Sequence, residues 1–255
     1  MALLHECEPP PYWGSAFAQT SLHTSMMGAG VGVGMGMGAD ATKDARRVQL
    51  PRGSELELEM MPSKCHFFAD SGLVCAMRAT LVWPGDDEER RRGRPRIEPV
   101  DAASPAALRA TIAEALRAEF DASDAFVQRF VQSIEFRGDA LFCMSQEVGR
   151  ADEATEAAAA ASPPERARLM IGFVVVERDR FVPFISHLYV APEHRRHGHA
   201  EALLAFAERY VASLGFSETK LWCRDALLPF YRARGWSVES RADALHCLLT
   251  KSLAV

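Results

Sequence analysis

Ten residues, "APEHRRHGHA" from Ala191 to Ala200, set basic and small side chains between a strand-like run ending at Val190 and a helical run beginning near Ala200. Arg195 and Arg196 bring fixed positive charge. Gly198 and the small Ala200 let the backbone approach a ligand closely, where a helix N-terminus turns its unsatisfied N–H groups outward. The chemistry this suits is holding an anion, and paired guanidinium groups favour a diphosphate. His194, His197 and His199 are polar decoration on the same turn. Side chains of a turn wrapped around an anion diverge, and no cluster of carboxylates or cysteines stands nearby to complete a coordination shell, so no metal is expected.

A second stretch imitates a phosphate loop and fails on counting. In "MMGAGVGVGMGMGAD" the glycines fall at Gly28, Gly30, Gly32, Gly34, Gly36 and Gly38. Both G-x-G-x-x-G and G-x-x-x-x-G-K need a pair of glycines an odd number of residues apart. No strand-like run enters the tract and no helical run leaves it, so it reads as a low-complexity linker.

The elements that must position the basic turn are legible around it. "AEALLAFAERYVASLG" places Leu203, Leu204, Ala207, Tyr210, Val211 and Leu214 on one helical stripe and stops at Gly215. Upstream, "ALFCMSQEV" and "RLMIGFVVVERDRFVPFISHLYV" read as three strands, the latter two hinged at "ERDR". Downstream come a strand "TKLWCR", a short helix "DALLPFYRARG" capped by Asp225 and closed by Gly235, and a terminal hairpin from "WSVES" and "ALHCLLTKSL". Before all of these, "SPAALRATIAEALRAEF", with Ser104 as N-cap and Pro105 at the first position, and "DASDAFVQRFVQSIEF" read as helices. The alanine-rich excursion over 149–166 reads as a surface helix or a loop. Residues 1–45 lack apolar periodicity and are expected to be a disordered tail. Residues 46–103 hold β-rich runs and a charged loop, either part of the following unit or appended to it, and 104–255 form a mixed α/β domain.

The basic turn and its surroundings resemble the GNAT superfamily of acetyl-coenzyme A dependent N-acetyltransferases. The fingerprint Q/R-x-x-G-x-G/A is matched in register by Arg195, Gly198 and Ala200, behind "LYVAPEHR", which is similar to the family's hydrophobic strand and turn. "LWCRDALLPFYRARGW" is similar to the second signature, a strand followed by F-Y-x-x-x-G-W/F/Y. Together they cover about residues 168 to 252, with a looser likeness back to about 104. The resemblance implies a mostly antiparallel central sheet flanked by helices, with two strands splayed at the coenzyme site.

It also implies direct attack of an amine on the acetyl thioester in a ternary complex, with acetyl-CoA as co-substrate. The backbone of Arg195, Arg196, His197, Gly198, His199 and Ala200 would hold the diphosphate. Main-chain groups of Leu188, Tyr189 and Val190 would pair with the pantetheine arm. A backbone N–H near Leu188 would face the developing oxyanion. Tyr231 matches the family's acid position, and a phenol with a pKa near 10 stays protonated at neutral pH, able to donate to a leaving thiolate. The base departs from the family pattern: "FVPFISHLYV" has no carboxylate, and Trp222 stands where an acid could sit in the next strand. His187 is the titratable group on the strand, although strict alternation puts it opposite Phe184 and Ser186 unless a bulge intervenes. Ser186 with a water chain, Asp225 and Glu119 are alternatives. The expected acceptor is the amine of a small molecule, protein or peptide.

The whole-chain numbers exclude several other classes. A formal net charge of -5 does not suit a general nucleic-acid binder. The local exception is Arg92-Gly93-Arg94-Pro95 within 90–96, similar to the core of an AT-hook that enters the minor groove of A·T-rich DNA, but Asp86, Asp87, Glu88 and Glu89 immediately precede it. Six scattered cysteines without a C-x-x-C pair suit reduced thiols in a cytosolic or nuclear setting. No apolar run approaches the roughly 20 residues of a membrane span, and the first basic residue is Lys43, which suits neither a secretory signal nor a transit peptide. A further alternative keeps the fold without turnover, as a coenzyme-binding regulatory domain.

Overall fold

The computed structural model describes residues 47–68, 72–86, 93–101, 103–120, 127, 139–147, 168–178, 181–241 and 243–254, with backbone alone at 62–68, 72–76 and 139. The strands are β1 (Arg47–Gln49), β2 (Glu55–Phe68), β3 (Gly72–Val82), β4 (Arg96–Pro99), β5 (Asp139–Glu147), β6 (Arg168–Glu177), β7 (Phe184–Val190), β8 (Glu218–Arg224), β9 (Ser237–Arg241) and β10 (His246–Ser252). The helices are α1 (Ala106–Phe120), α2 (His199–Ser213) and α3 (Leu228–Arg232). The strands form one sheet in the order β1-β2-β3-β4-β5-β6-β7-β8-β10-β9. Every neighbouring pair is antiparallel except β7 and β8. This is the mixed α/β class expected from the sequence, with a mostly antiparallel sheet between helices. The strands of 46–103 continue the same sheet, since β4 pairs with β5 from Arg96↔Ser145 to Pro99↔Phe142.

The central strands are apolar at almost every position because both faces are covered, the pattern of a sheet buried on two sides. Along β5 and β6 the side chains alternate between two cores. Phe142, Met144, Ile171, Val174 and Val176 face α2, where Leu203, Leu204, Phe206, Ala207, Tyr210 and Val211 form the stripe. Leu141, Cys143, Phe173 and Val175 face α1, meeting Ile112, Ala115 and Leu116. The Phe142 ring is held edge-on between Phe206 at 4.8 Å and Tyr210 at 4.7 Å. These contacts fix α2, and with it the turn that precedes it, against the middle of the sheet.

Three local features differ from the sequence expectation. Asp225 does not cap α3: it begins a 3-10 turn, and the helix starts at Leu228 behind Leu227, with no side-chain cap bond. Ser104 does not cap α1: its hydroxyl accepts the Asp101 N–H at 3.0 Å and meets the Asp101 carboxylate, and the helix begins at Ala106. The β7 strand is not evenly alternating. Val175 pairs with His187 while the next residue, Val176, pairs with Ile185, so Ser186 is an extra residue bulged out of register. The expected helix over "DASDAFVQRFVQSIEF", apart from Val127, the excursion over 149–166, the tail 1–45 and its glycine tract lie outside the described residues. No described helix is long and apolar enough to cross a membrane.

Candidate active site

The β7–β8 contact is brief. Among the described residues Phe184↔Lys220 is the one register pair that joins them, supported by the Lys220 N–H and the Thr219 hydroxyl donating to the Pro183 carbonyl. Beyond it β8 pairs only with β10, so the two parallel strands fork toward their C-terminal ends. Backbone direction along β7 follows from one bond: the Ala191 N–H donates to the Ile171 carbonyl at 2.9 Å, toward β6. By alternation Tyr189 also turns its backbone groups to β6, whereas Leu188 and Val190 turn theirs into the fork. Consistent with this, a Cβ built on Gly172 of β6 would lie 2.3 Å from the Tyr189 carbonyl oxygen, and the Val190 carbonyl accepts a bond from outside the sheet, from Arg195 Nε at 3.0 Å. Of the three residues expected to line a pantetheine arm, Leu188 and Val190 face the open edge. Tyr189 belongs to the β6 ladder, its ring stacked on Phe173 at 5.2 Å.

The chain leaves β7 through a 3-10 turn at Pro192–His194 and enters α2 through Gly198, whose φ of 87° is left-handed. Arg196 has a φ of 67° without being glycine, so two left-handed residues curl the backbone immediately before the helix. The first N–H groups of α2, at His199, Ala200 and Glu201, follow this curl and have no carbonyl within the helix to receive them. Arg195 is a brace: besides Val190, its guanidinium reaches Glu119 Oε1 at 3.1 Å, joining the loop to the end of α1. The histidines lie near one another, His194 to His199 at 6.3 Å and His197 to His199 at 6.0 Å between ring centroids. Partial burial, and then the two neighbouring rings, push His199 down to about 4. No group of three His, Cys, Asp or Glu among the described residues is arranged to hold a metal.

Because β7 and β8 are parallel, the turn after β7 and the helix after β8 emerge at the same end of the sheet. That second segment carries Tyr231 on α3, 7% exposed, with its ring edge-on to Phe230 at 5.0 Å and Trp236 at 6.1 Å. Burial pushes the phenol up to about 12, with the Cys223 thiol adding a smaller push. It is a protonated donor at any ordinary pH.

His187 is 6% exposed, its ring edge-on to Phe120 of α1 at 4.9 Å and its Nδ1 3.0 Å from Ser186 Oγ. The bulge explains its placement: Ile185 packs in the α2 core whereas His187, two residues on, lies on the α1 side. Burial pushes His187 down to about 4, so it is neutral at neutral pH. The other candidate bases are engaged. Glu119 holds Arg195, and Asp225 accepts from the Cys247 thiol at 2.9 Å and from Arg241 at 2.7 Å, bonds that lower its pKa. Trp222 is 40% exposed on β8.

Three further residues belong to this end of the sheet. Arg52, in the turn between β1 and β2, donates from Nη1 to the Arg196 carbonyl at 2.6 Å, and no local pattern in "LPRGS" announces a contact 144 residues away. Glu201 and Arg234 form a largely buried ion pair at 2.5 Å, linking the first turn of α2 to the turn after α3. A charged residue in the first turn of an apolar helix was the available signal for Glu201. The AT-hook-like segment is occupied differently. Arg94 makes a two-point contact with Asp86, at 2.6 and 2.9 Å, and its guanidinium lies 4.3 Å from the centroid of the Trp83 ring. Arg96 lies in β4, opposite Ser145 of β5. Arg90, Arg91 and Arg92 lie outside the described residues.

Three solved structures with similar folds are a GNAT family acetyltransferase from Elizabethkingia anophelis with acetyl-CoA bound, the spermidine/spermine N-acetyltransferase SpeG from Vibrio cholerae, and the PaiA N-acetyltransferase from Thermoplasma acidophilum in complex with coenzyme A. The first is 14% identical, covering 62% of this chain and 98% of its own, with a TM-score of 0.43. For the second the values are 11%, 63%, 94% and 0.45. For the third they are 16%, 61%, 98% and 0.40. No curated protein sequence matches. The model of the acetyltransferase (GNAT) family matches residues 141–236. The matched segment runs from Leu141 in β5 to Trp236 and contains the fork, the basic turn and Tyr231.

Proposed function

We propose that this protein is an N-acetyltransferase that moves the acetyl group of acetyl-CoA to a primary amine by direct attack. The observation that carries the reading is the fork between β7 and β8: an open strand edge at Leu188 and Val190 that runs into a left-handed curl and a helix N-terminus. An extended amide-bearing arm ending in a diphosphate has the shape and the donor needs of that path. Acetyl-CoA has that shape.

In this reading the Leu188 N–H faces the carbonyl oxygen that gains charge as the amine nitrogen bonds to the acetyl carbon. The carbon–sulfur bond breaks, and Tyr231 gives its proton to the departing thiolate. His187 is neutral and sits beside Ser186 on the α1 side. A group held near 4 is a weak base, so its role here is to relay the ammonium proton outward through Ser186 rather than to store it. Acceptor amines of small molecules and of peptides both suit an enzyme of this kind, in a cytosolic or nuclear setting.

The test is release of free coenzyme thiol when the protein meets acetyl-CoA and a panel of polyamines, aminoglycosides and peptide N-termini. Amine-dependent release supports the reading. Tight acetyl-CoA binding with no release by any amine would favour a coenzyme-binding regulatory domain, the reading motivated by the absence of a strand carboxylate. No binding of acetyl-CoA would remove both.

A further inference from the structure

We infer that Arg52, delivered by the β1–β2 turn outside the family-matched segment, is a phosphate-binding residue of the coenzyme site. The inference rests on the acetyl-CoA reading of that site and adds to it a residue from a different part of the chain.

The turn is built to present this side chain. The Gly53 N–H donates to the Leu50 carbonyl at 3.0 Å, the Leu50 N–H donates to the Ser54 carbonyl at 2.8 Å, and Gly53 has a φ of 78°. The turn is thus closed by two backbone bonds, with Leu50 and Ser54 buried beneath it and Arg52 exposed at its tip. From there the Arg52 guanidinium reaches the Arg196 carbonyl, and its Cδ lies 3.4 Å from where a Cβ on Gly198 would be. Both contacts are with the two left-handed residues that shape the curl. Glycine at 198 supplies the backbone angle, while a Cβ there would meet the Arg52 stem at an ordinary contact distance.

The charge balance of the loop shows why a further cation matters. Arg195, the fingerprint residue, has Nε on the Val190 carbonyl and Nη2 on the Glu119 carboxylate, so its charge is largely answered within the protein. Arg52 has no carboxylate partner among the described residues. A guanidinium carries five N–H donors in a planar fork, and the bond to Arg196 uses one nitrogen. The remaining donors stand beside the same backbone curl where a diphosphate or a ribose phosphate would lie.

The experiment measures binding of acetyl-CoA and of its 3′-dephospho form to the full chain by calorimetry at low and high salt, for the native protein, Arg52→Ala and Arg52→Lys. Arg52→Ala is expected to weaken acetyl-CoA binding about 5- to 20-fold at low salt, the effect of losing a charge-assisted contact, and by much less at high salt. Arg52→Lys should fall between. A loss confined to the 3′-phosphorylated ligand would assign the contact to the ribose phosphate, and an equal loss for both forms to the diphosphate. Unchanged affinity in Arg52→Ala would overturn the proposal. So would a loss of equal size at low and high salt, the signature of a neutral brace on the Arg196 carbonyl. If the native protein binds no acetyl-CoA, it is the reading of the site that falls. Arg52 is exposed, so unchanged thermal unfolding is expected to accompany each variant.

Discussion

Glu201 and Arg234 join the two halves of the site: Oε1 of the first accepts from Nη2 of the second at 2.5 Å. Glu201 follows the basic turn on α2, and Arg234 follows Tyr231 by three residues. Arg234 is held further by a bond from Nη1 to the Phe230 carbonyl at 2.7 Å and by stacking over the Phe230 ring at 3.9 Å. The pair thus fixes the distance between the backbone curl before α2 and the phenol. Because Glu201 is buried, removing it strands a guanidinium in a half-buried position. Glu201→Ala is expected to lower stability by about 2–4 kcal/mol in urea unfolding. Exchanging both residues, Glu201→Arg with Arg234→Glu, should recover part of that loss. A double-mutant cycle with no coupling would show that the pair does not hold the halves together.

Tyr231→Phe removes one oxygen from a ring that stays packed on Phe230 and Trp236. If the phenol donates the proton to the leaving thiolate, kcat should fall about 100- to 1,000-fold, while the dissociation constant for acetyl-CoA changes little. Since burial holds the phenol up at about 12, the native rate should show no alkaline fall from this group below that pH. A Phe variant that turns over at the native rate would take the acid role away from Tyr231.

The parts of this site that were legible in the sequence are those whose information is local. The glycine and arginines of 195–200 and the apolar stripe of α2 each carry a spacing that one turn of backbone enforces, and so the strand, curl and helix could be anticipated together. The side of the strand on which His187 lies could not, because a single bulged residue, Ser186, reverses the alternation, and the register that creates it is set by the partner strand β6. The contact of Arg52 and the pairing of Glu201 with Arg234 were invisible for a related reason: each joins segments far apart in the chain, and although Glu201 stands out in its helix, nothing in either neighbourhood encodes the partner. Arg94 shows the converse. Its local pattern suggests a DNA-binding arginine, whereas its actual partners, Asp86 and Trp83, use the same charge to close a loop. No retardation of A·T-rich duplex at low salt is expected, and a shift abolished by Arg94→Ala would contradict this.

Two glycines separate backbone strain from steric collision. Gly198→Ala places a side chain at a φ of 87° with its nearest neighbour, Arg52 Cδ, 3.4 Å away, so the expected cost is about 1 kcal/mol, with weakened coenzyme binding. Gly172→Ala points its Cβ at the Tyr189 carbonyl oxygen, 2.3 Å away, and at the Val190 Cα, 3.1 Å away. Backbone atoms of β7 cannot turn aside as a flexible side chain can, so β6 and β7 must separate along the strand that lines the fork. Gly172→Ala is therefore expected to be the more destabilising of the two in thermal unfolding. The reverse order would mean that β7 is free to shift, and with it the open edge at Leu188 and Val190.

His187 links stability to acidity. Its pKa is about 4 in the folded protein against an ordinary value of 6.5, with burial as the cause. Between those values the unfolded chain binds the proton and the folded one does not, so stability is fully present above the unfolded value and is lost as pH falls toward the folded one. The loss from this one group is on the order of 3 kcal/mol over the whole interval. His199, also lowered to about 4, acts in the same direction from a more exposed position. Urea midpoints for the native protein should therefore decline from pH 7 to pH 4.5, and those of His187→Gln should decline less steeply, since glutamine takes up no proton. If the two proteins lose stability in parallel, His187 is not held neutral between Phe120 and Ser186, and the relay proposed for it loses its physical basis.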